Sequence, residues 1–229
     1  AQTRIAEMVQ NTQPGSTLNY VPGRVQDGAP LWNAEYGAVG SRGGDRDVSW
    51  GFRLLTTQLR RHDLIQGYVY TELCDVEWEH NGVVDYDRSP KDFGYDSFVP
   101  GMTVADLQGA DFVGFDTPPA VEAAPGEQIS LPIFVSHFSA RSETPTLRWH
   151  ISGTDDLGRP VATESRSRRV TWQRYRVTFQ QPLRVRMPAD QAFVGALALE
   201  LLDEKGKRIA ANFVNLVVRR RPVESISGL

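Results

Sequence analysis

One cysteine, Cys74, occurs among 229 residues, so no intramolecular disulfide is available and a cysteine-based zinc site has no ligand set to draw on. Histidine is sparse as well. His62, His80, His137 and His150 lie scattered, without the close spacing of a metal-ligand set. No run of about 18 apolar residues occurs, which leaves no candidate transmembrane helix. The opening AQTRIAEMVQNTQPG lacks the apolar stretch of a signal peptide. Phosphate-binding glycine loops, G-x-S-x-G elbows and H-E-x-x-H pairs are all missing. Together these absences predict no cofactor, no metal and no membrane partner, and they leave the compartment open.

What is present is the composition of a folded chain. Hydrophobic residues make up 40% and charged residues 23%, enough for a sizeable core and too little charge for global disorder. The net charge of −3 is uneven: residues 1–98 hold 9 basic and 14 acidic side chains, residues 99–229 hold 16 and 14. An acidic first part fits a carboxylate-lined sugar site, and it equally fits an ordinary solvated surface.

The texture changes near residue 98. Before it, helical and strand patterns alternate. Gln2 to Gln10 reads as the tail of a helix with no capping signal, as if cut from something longer. Leu31 to Tyr36 reads as a short strand that ends in a Gly-rich loop, 37–44. Asp45 or Asp47 then caps a helix whose apolar face is Val48, Phe52, Leu55 and Leu59. Ile65 to Leu73 reads as a second strand, which predicts a right-handed strand–helix–strand crossover. After about Pro100-Gly101, strands are expected at 110–116, 120–124, 128–136, 146–153, 160–164, 168–179, 193–202 and 208–218. A turn at 155–159 and a hairpin loop at 203–207, with Gly206 placed for positive φ, separate them. Short strands at this spacing predict an antiparallel sandwich of Ig-like or jelly-roll type. The expected units are therefore 1–98 and 99–229.

Two stretches carry candidate chemistry. The first is Pro30-Leu31-Trp32-Asn33-Ala34-Glu35-Tyr36-Gly37. A carboxylate at the C-terminal end of a barrel strand points to where such barrels do their chemistry, and a glycosidase nucleophile must be ionised and rigidly aimed. Trp32 and Tyr36 offer aromatic surface for the C–H faces of sugars. The second stretch, 67–82, holds Tyr70, Glu72, Asp75, Glu77, Trp78, Glu79, His80 and Asn81, a density of acceptors and amides suited to gripping sugar hydroxyls. Each of these residues also has a plain reading as a surface, ion-paired or turn residue.

Taken in order, the stretches resemble family 2 glycoside hydrolases. Trp32-Asn33-Ala34-Glu35-Tyr36-Gly37 is similar to that family's seventh-strand motif, usually S-E-Y-G. Residues 67–82 are similar to the eighth strand, Tyr86-Asp87-Arg88-Ser89-Pro90-Lys91 to the segment after it, and Asn19-Tyr20-Val21-Pro22-Gly23 to the approach to strand seven. The resemblance covers about residues 15–98. It implies the last two strands and helices of a (β/α)8 barrel followed by an all-β sandwich, from an exo-acting retaining β-glycosidase of β-galactosidase or β-glucuronidase type. It implies Glu35 as nucleophile and Trp32, Asn33, Tyr36, Tyr70, Glu72, Asp75 and Trp78 as substrate-binding candidates.

The family's acid/base, a Glu after an Asn at the end of strand four, has no counterpart: no N-E dipeptide occurs. Barrel strands one to six are missing as well. Half a catalytic pair predicts that this chain alone hydrolyses no aryl β-glycoside. The implied partners are a β-glycoside and either the rest of the barrel or an oligomeric partner covering the open edge. The alternative is a non-catalytic carbohydrate-binding or structural sandwich module. Arg166, Arg168, Arg169, Arg174 and Arg176, interleaved with Trp172 and Tyr175, admit single-stranded nucleic acid or an acidic polysaccharide, but a strand with a solvated polar edge is the expected reading, with no nucleic-acid partner. Arg219 to Arg221 read as a solvated tail.

Overall fold

A computed structural model describes residues 2–18, 20–37 and 47–220. Asn19, most of the Gly-rich loop, Asp45 and Arg221 lie outside the described residues. The chain is mostly β, 39% strand against 14% helix, with layers consistent with a β-sandwich.

Helix α1 (Gln2–Asn11) leads to strand β1 (Leu31–Tyr36), helix α2 (Ser49–Arg60) and strand β2 (Ile65–Tyr70). β1 and β2 pair in parallel as a two-stranded sheet with α2 between them in sequence, the predicted strand–helix–strand unit. The N-cap of α2 is Val48, without a side-chain cap, rather than the expected aspartate; the Asp47 carboxylate, one residue earlier, accepts the Ser49 N–H at 2.8 Å. Val48, Phe52 and Leu59 are buried and Leu55 is half-buried, so the 3.6-residue period chose the packed face correctly. Leu59, Ile65 and Tyr36 form a small core on which Ile5 and Val9 of α1 rest.

The remaining strands are β3 (Asp111–Phe115), β4 (Ala120–Ala123), β5 (Gln128–Leu131), β6 (Ile133–His137), β7 (Thr146–Asp155), β8 (Pro160–Ala162), β9 (Arg166–Arg169), β10 (Arg176–Phe179), β11 (Leu183–Arg186), β12 (Phe193–Leu202) and β13 (Arg208–Val218). A short helix α3 (Ala105–Gln108) precedes β3. One sheet runs β4-β13-β12-β7-β8, with β9 also on β7. Facing it are β10-β6-β3 and the pair β11-β5. The main core lies between these layers: Leu197, Leu199 and Leu201 of β12 meet Val113, Ile133, Val135 and Leu183 of the facing strands.

Two predicted strands are each broken in two. Residues 128–136 divide at Pro132, which has no N–H for a ladder. β5 pairs with β11 and β6 with β10 and β3, so the proline marks a change of partner. Residues 168–179 divide between β9, on the large sheet, and β10, on the facing one, and Tyr175 at φ 60° belongs to the connection. β11 is an additional strand between Pro182 and Pro188. Its alternation of buried Leu183 and Val185 with exposed Arg184 and Arg186 is the signal that could have found it.

α2 and the 93–107 segment pack on the outward side chains of β12 and β13. Phe52, Tyr95, Val99, Met102 and Leu107 share one buried cluster with Ala196, Ala198, Ala211 and Phe213. Arg53 is buried in this contact. Its guanidinium donates to the Phe213 carbonyl at 2.5 Å and to Asn215 Oδ1 at 2.9 Å, and it lies 4.0 Å over the Phe213 ring. Arg60 donates to the Gly109 and Ala110 carbonyls at 3.0 and 2.8 Å, and Arg61 pairs with Asp116 at 2.7 Å.

Candidate functional site

The site is built where β1 and β2 end. In a parallel pair both C-terminal ends lie at one edge, and the Thr71 N–H donates to the Tyr36 carbonyl at 2.7 Å, tying the two exits together. Glu35 and Glu72 flank that bond in sequence. Glu35 is exposed. Glu72 is half-buried, its Oε1 has no hydrogen-bond partner among the described residues, and its carboxyl is pushed above the ordinary range. Burial is the largest cause, followed by the charges of Glu79, Asp75 and Glu35, with Lys91 acting against them. Four carboxylates from the two candidate stretches thus share one electrostatic neighbourhood.

Trp32 is 66% exposed beside Gly67, its register partner on β2, and its indole lies over the glycine, where a methyl group would push the ring aside. Asn33 is half-buried opposite Tyr68, with Oδ1 lacking a partner among the described residues. Trp78 is 82% exposed on the loop after β2.

The other proposed sugar contacts have structural employment. Tyr36 faces α2: its hydroxyl meets Thr56 Oγ1 at 2.7 Å and accepts from Gln108 Nε2 at 3.1 Å, and burial pushes its pKa up to about 12. The physical reason is the register irregularity between Asn33 and Tyr36, which breaks the period-two alternation and turns Tyr36 into the core. Tyr70 stacks edge-on against Phe52 and Tyr36 and donates to the Asn81 carbonyl. Its phenol is raised well above the usual value, chiefly by burial.

Asp75 is buried. It accepts the Gly82 N–H at 2.9 Å and pairs with Lys91 Nζ at 2.6 Å, and Lys91 also donates to the His80 carbonyl at 3.0 Å. Asp75 therefore holds the 71–91 loop in shape. Lys91, whose charge bears on this cluster, carries no local sequence signal because its partner lies 16 residues away. Asn81, 3% exposed, donates to the Thr71 carbonyl and so braces the same exit.

Of the sequence candidates, Glu35 and Trp32 are exposed and Asn33 and Glu72 half-buried on or just after the two strands, Trp78 is exposed on the loop after β2, and Tyr36, Tyr70 and Asp75 are engaged within the fold. Among the described residues no group of three or more His, Cys, Asp or Glu has a metal-holding arrangement, and no helix is long and apolar enough to cross a membrane.

Fold and site together define a mostly β chain with a parallel strand–helix–strand unit whose exit gathers carboxylates. No family model matches this sequence, and no curated protein matches it. Among solved structures it is similar to the exo-chitosanase CsxA of Amycolatopsis orientalis at 10% identity, over 76% of this chain and 19% of that one, with a TM-score of 0.49. It is also similar to the sporulation control protein Spo0M of Bacillus subtilis at 15% identity, over 50% of this chain and 51% of that one, with a TM-score of 0.32. The chain spans about a fifth of the exo-chitosanase and about half of Spo0M. Likenesses at this level assign neither a family nor a site.

Proposed function

We propose that this chain is the C-terminal portion of an exo-acting retaining β-glycosidase, of β-galactosidase or β-glucuronidase type, in which Glu35 is the nucleophile. In this reading residues 1–98 are the end of a (β/α)8 barrel and residues 99–229 a β-sandwich domain. The observation that carries it is the meeting of Glu35 and Glu72 at the same exit of two adjacent parallel strands, where barrel enzymes place their reacting groups. Retaining hydrolysis needs an ionised carboxylate beside the anomeric carbon and a protonated one about 5–5.5 Å away. Glu72, with its raised proton affinity, shapes the sugar site beside Glu35, while the acid/base comes from a part of the barrel outside this sequence. Trp32 and Trp78 supply sugar-stacking surface, and Asn33 a polar contact.

The outer edges of β1 and β2 are unpaired among the described residues, and Trp32, Leu73 and Trp78 are more than half exposed near them. The rest of the barrel, or an oligomeric partner, covers that surface. In the complete gene product carrying these residues, Glu35→Gln lowers kcat by roughly three orders of magnitude or more, as removal of an essential nucleophile does. An unchanged kcat overturns the assignment. The isolated chain turns over no aryl β-glycoside, and turnover by it that vanishes in Glu35→Gln refutes the idea of half a site.

A further inference from the structure

The basic run at 166–176 does not survive folding as one patch. Arg168 donates to the Gln181 carbonyl, Arg169 reaches Glu204, Arg174 donates to the Ala140 carbonyl at 2.8 Å, and Arg176 pairs with Asp63 at 3.1 Å. Arg166 is left, and the fold brings it to two arginines that are distant in sequence. A cleft of about 320 Å³ opens between the sandwich layers, lined by no residue of the Glu35 region, and Arg166, Arg184 and Arg186 line it. Its apolar surface is Ile151, Val185 and Leu197, and Trp149 forms part of its wall. Arg166 is the cross-strand partner of Trp149, so the two side chains share a face. Arg184 and Arg186 are two apart on β11, on the exposed face opposite Val185, so they stand at the rim of the cleft on a strand paired only with β5 among the described strands. All three arginines are exposed, and none has an ion-pair partner among the described residues. Glu164 is the single carboxylate among the described residues lining the cleft.

We propose that this cleft is a binding site for a carboxylated saccharide, an oligosaccharide bearing uronic acid. The features select that chemistry jointly. Unpaired guanidiniums present forked donors that match a carboxylate. An indole beside aliphatic side chains suits the C–H face of a pyranose ring. Glu164 accepts from sugar hydroxyls, a contact that a fatty acid chain cannot offer. The volume sits at the lower end of the roughly 300–1,000 Å³ typical of ligand pockets, room for one or two sugar rings at a time. The site lies in the sandwich and stands whether or not Glu35 is a nucleophile.

The test is calorimetric titration of the whole chain with trigalacturonate and with a glucuronate-containing tetrasaccharide. The methyl-esterified trigalacturonate and inorganic phosphate serve as comparisons. Saturable binding of either acid sugar is expected. It weakens at least tenfold in Arg184→Ala/Arg186→Ala and in Arg166→Ala. Because the three arginines are exposed and unpaired, their variants keep the parent melting temperature. Failure of both acid sugars to bind at millimolar concentration overturns the proposal. So does equal binding of the esterified sugar, equal binding of phosphate, or indifference to the arginine substitutions.

Discussion

Replacing Arg53 with Ala is expected to destabilise the chain by about 2–4 kcal/mol. The guanidinium makes two hydrogen bonds to β13, one to the Phe213 carbonyl and one to Asn215, and it covers the Phe213 ring at 4.0 Å. Hydrogen bonds from a charged donor contribute about 1.5–3 kcal/mol each, and a desolvated cation over an aromatic face on the order of 2 kcal/mol. Desolvation opposes them. Burial pushes the Arg53 pKa from 12.5 down to about 10, which at about 1.4 kcal/mol per unit costs about 3 kcal/mol. The attractions win, and their loss also leaves a buried carbonyl unsatisfied. For a chain of this size each kcal/mol moves the melting temperature by about 2–4 °C, so a drop of roughly 10 °C is expected by calorimetry. Arg53→Met, which keeps volume and loses the donors, falls between Ala and the parent. A melting temperature for Arg53→Ala within about 2 °C of the parent refutes the reasoning.

The raised carboxyl of Glu72 gives a pH-dependent prediction. The folded state holds this proton more tightly than the unfolded chain does, so the associated stability is present below the ordinary value of 4.5 and is lost as pH rises through the folded value. Glu72→Gln therefore raises the melting temperature at pH 7 and has little effect below 4.5, and equal effects at both pH values count against it. Tyr36→Phe removes a buried hydroxyl held by Thr56 and Gln108 and lowers stability by about 1 kcal/mol in denaturant titration. An unaffected midpoint contradicts that role.

Long alternating runs with clear ends were legible from the amino acids. β12 and β13 fall at 193–202 and 208–218 as predicted, because Asp203 to Lys207 closes the hairpin and Gly206 takes φ 77°. Places where the chain changes sheets were not legible, since Pro132 and the 170–175 connection interrupt pairing without interrupting alternation. At the candidate site, the strand–helix–strand unit and the position of Glu35 at a strand end could be read from periodicity. The side to which Tyr36 turns could not, because one register irregularity reverses it. Nor could the Asp75–Lys91 pair, which depends on how the loop folds back.

The aromatic cluster beneath α2 has a bearing on how this polypeptide can be cut and recombined. Phe52 and Tyr95 come from one side of the composition change at residue 98, and Ala198 and Phe213 from the other. A gene fusion joined at that change would hand each product a raw apolar face. The sandwich is therefore poor material for transplanting as a cassette, and exchange during evolution is expected to carry α2 along with it. The same shared cluster favours a single heat-absorption peak on melting over two separate ones.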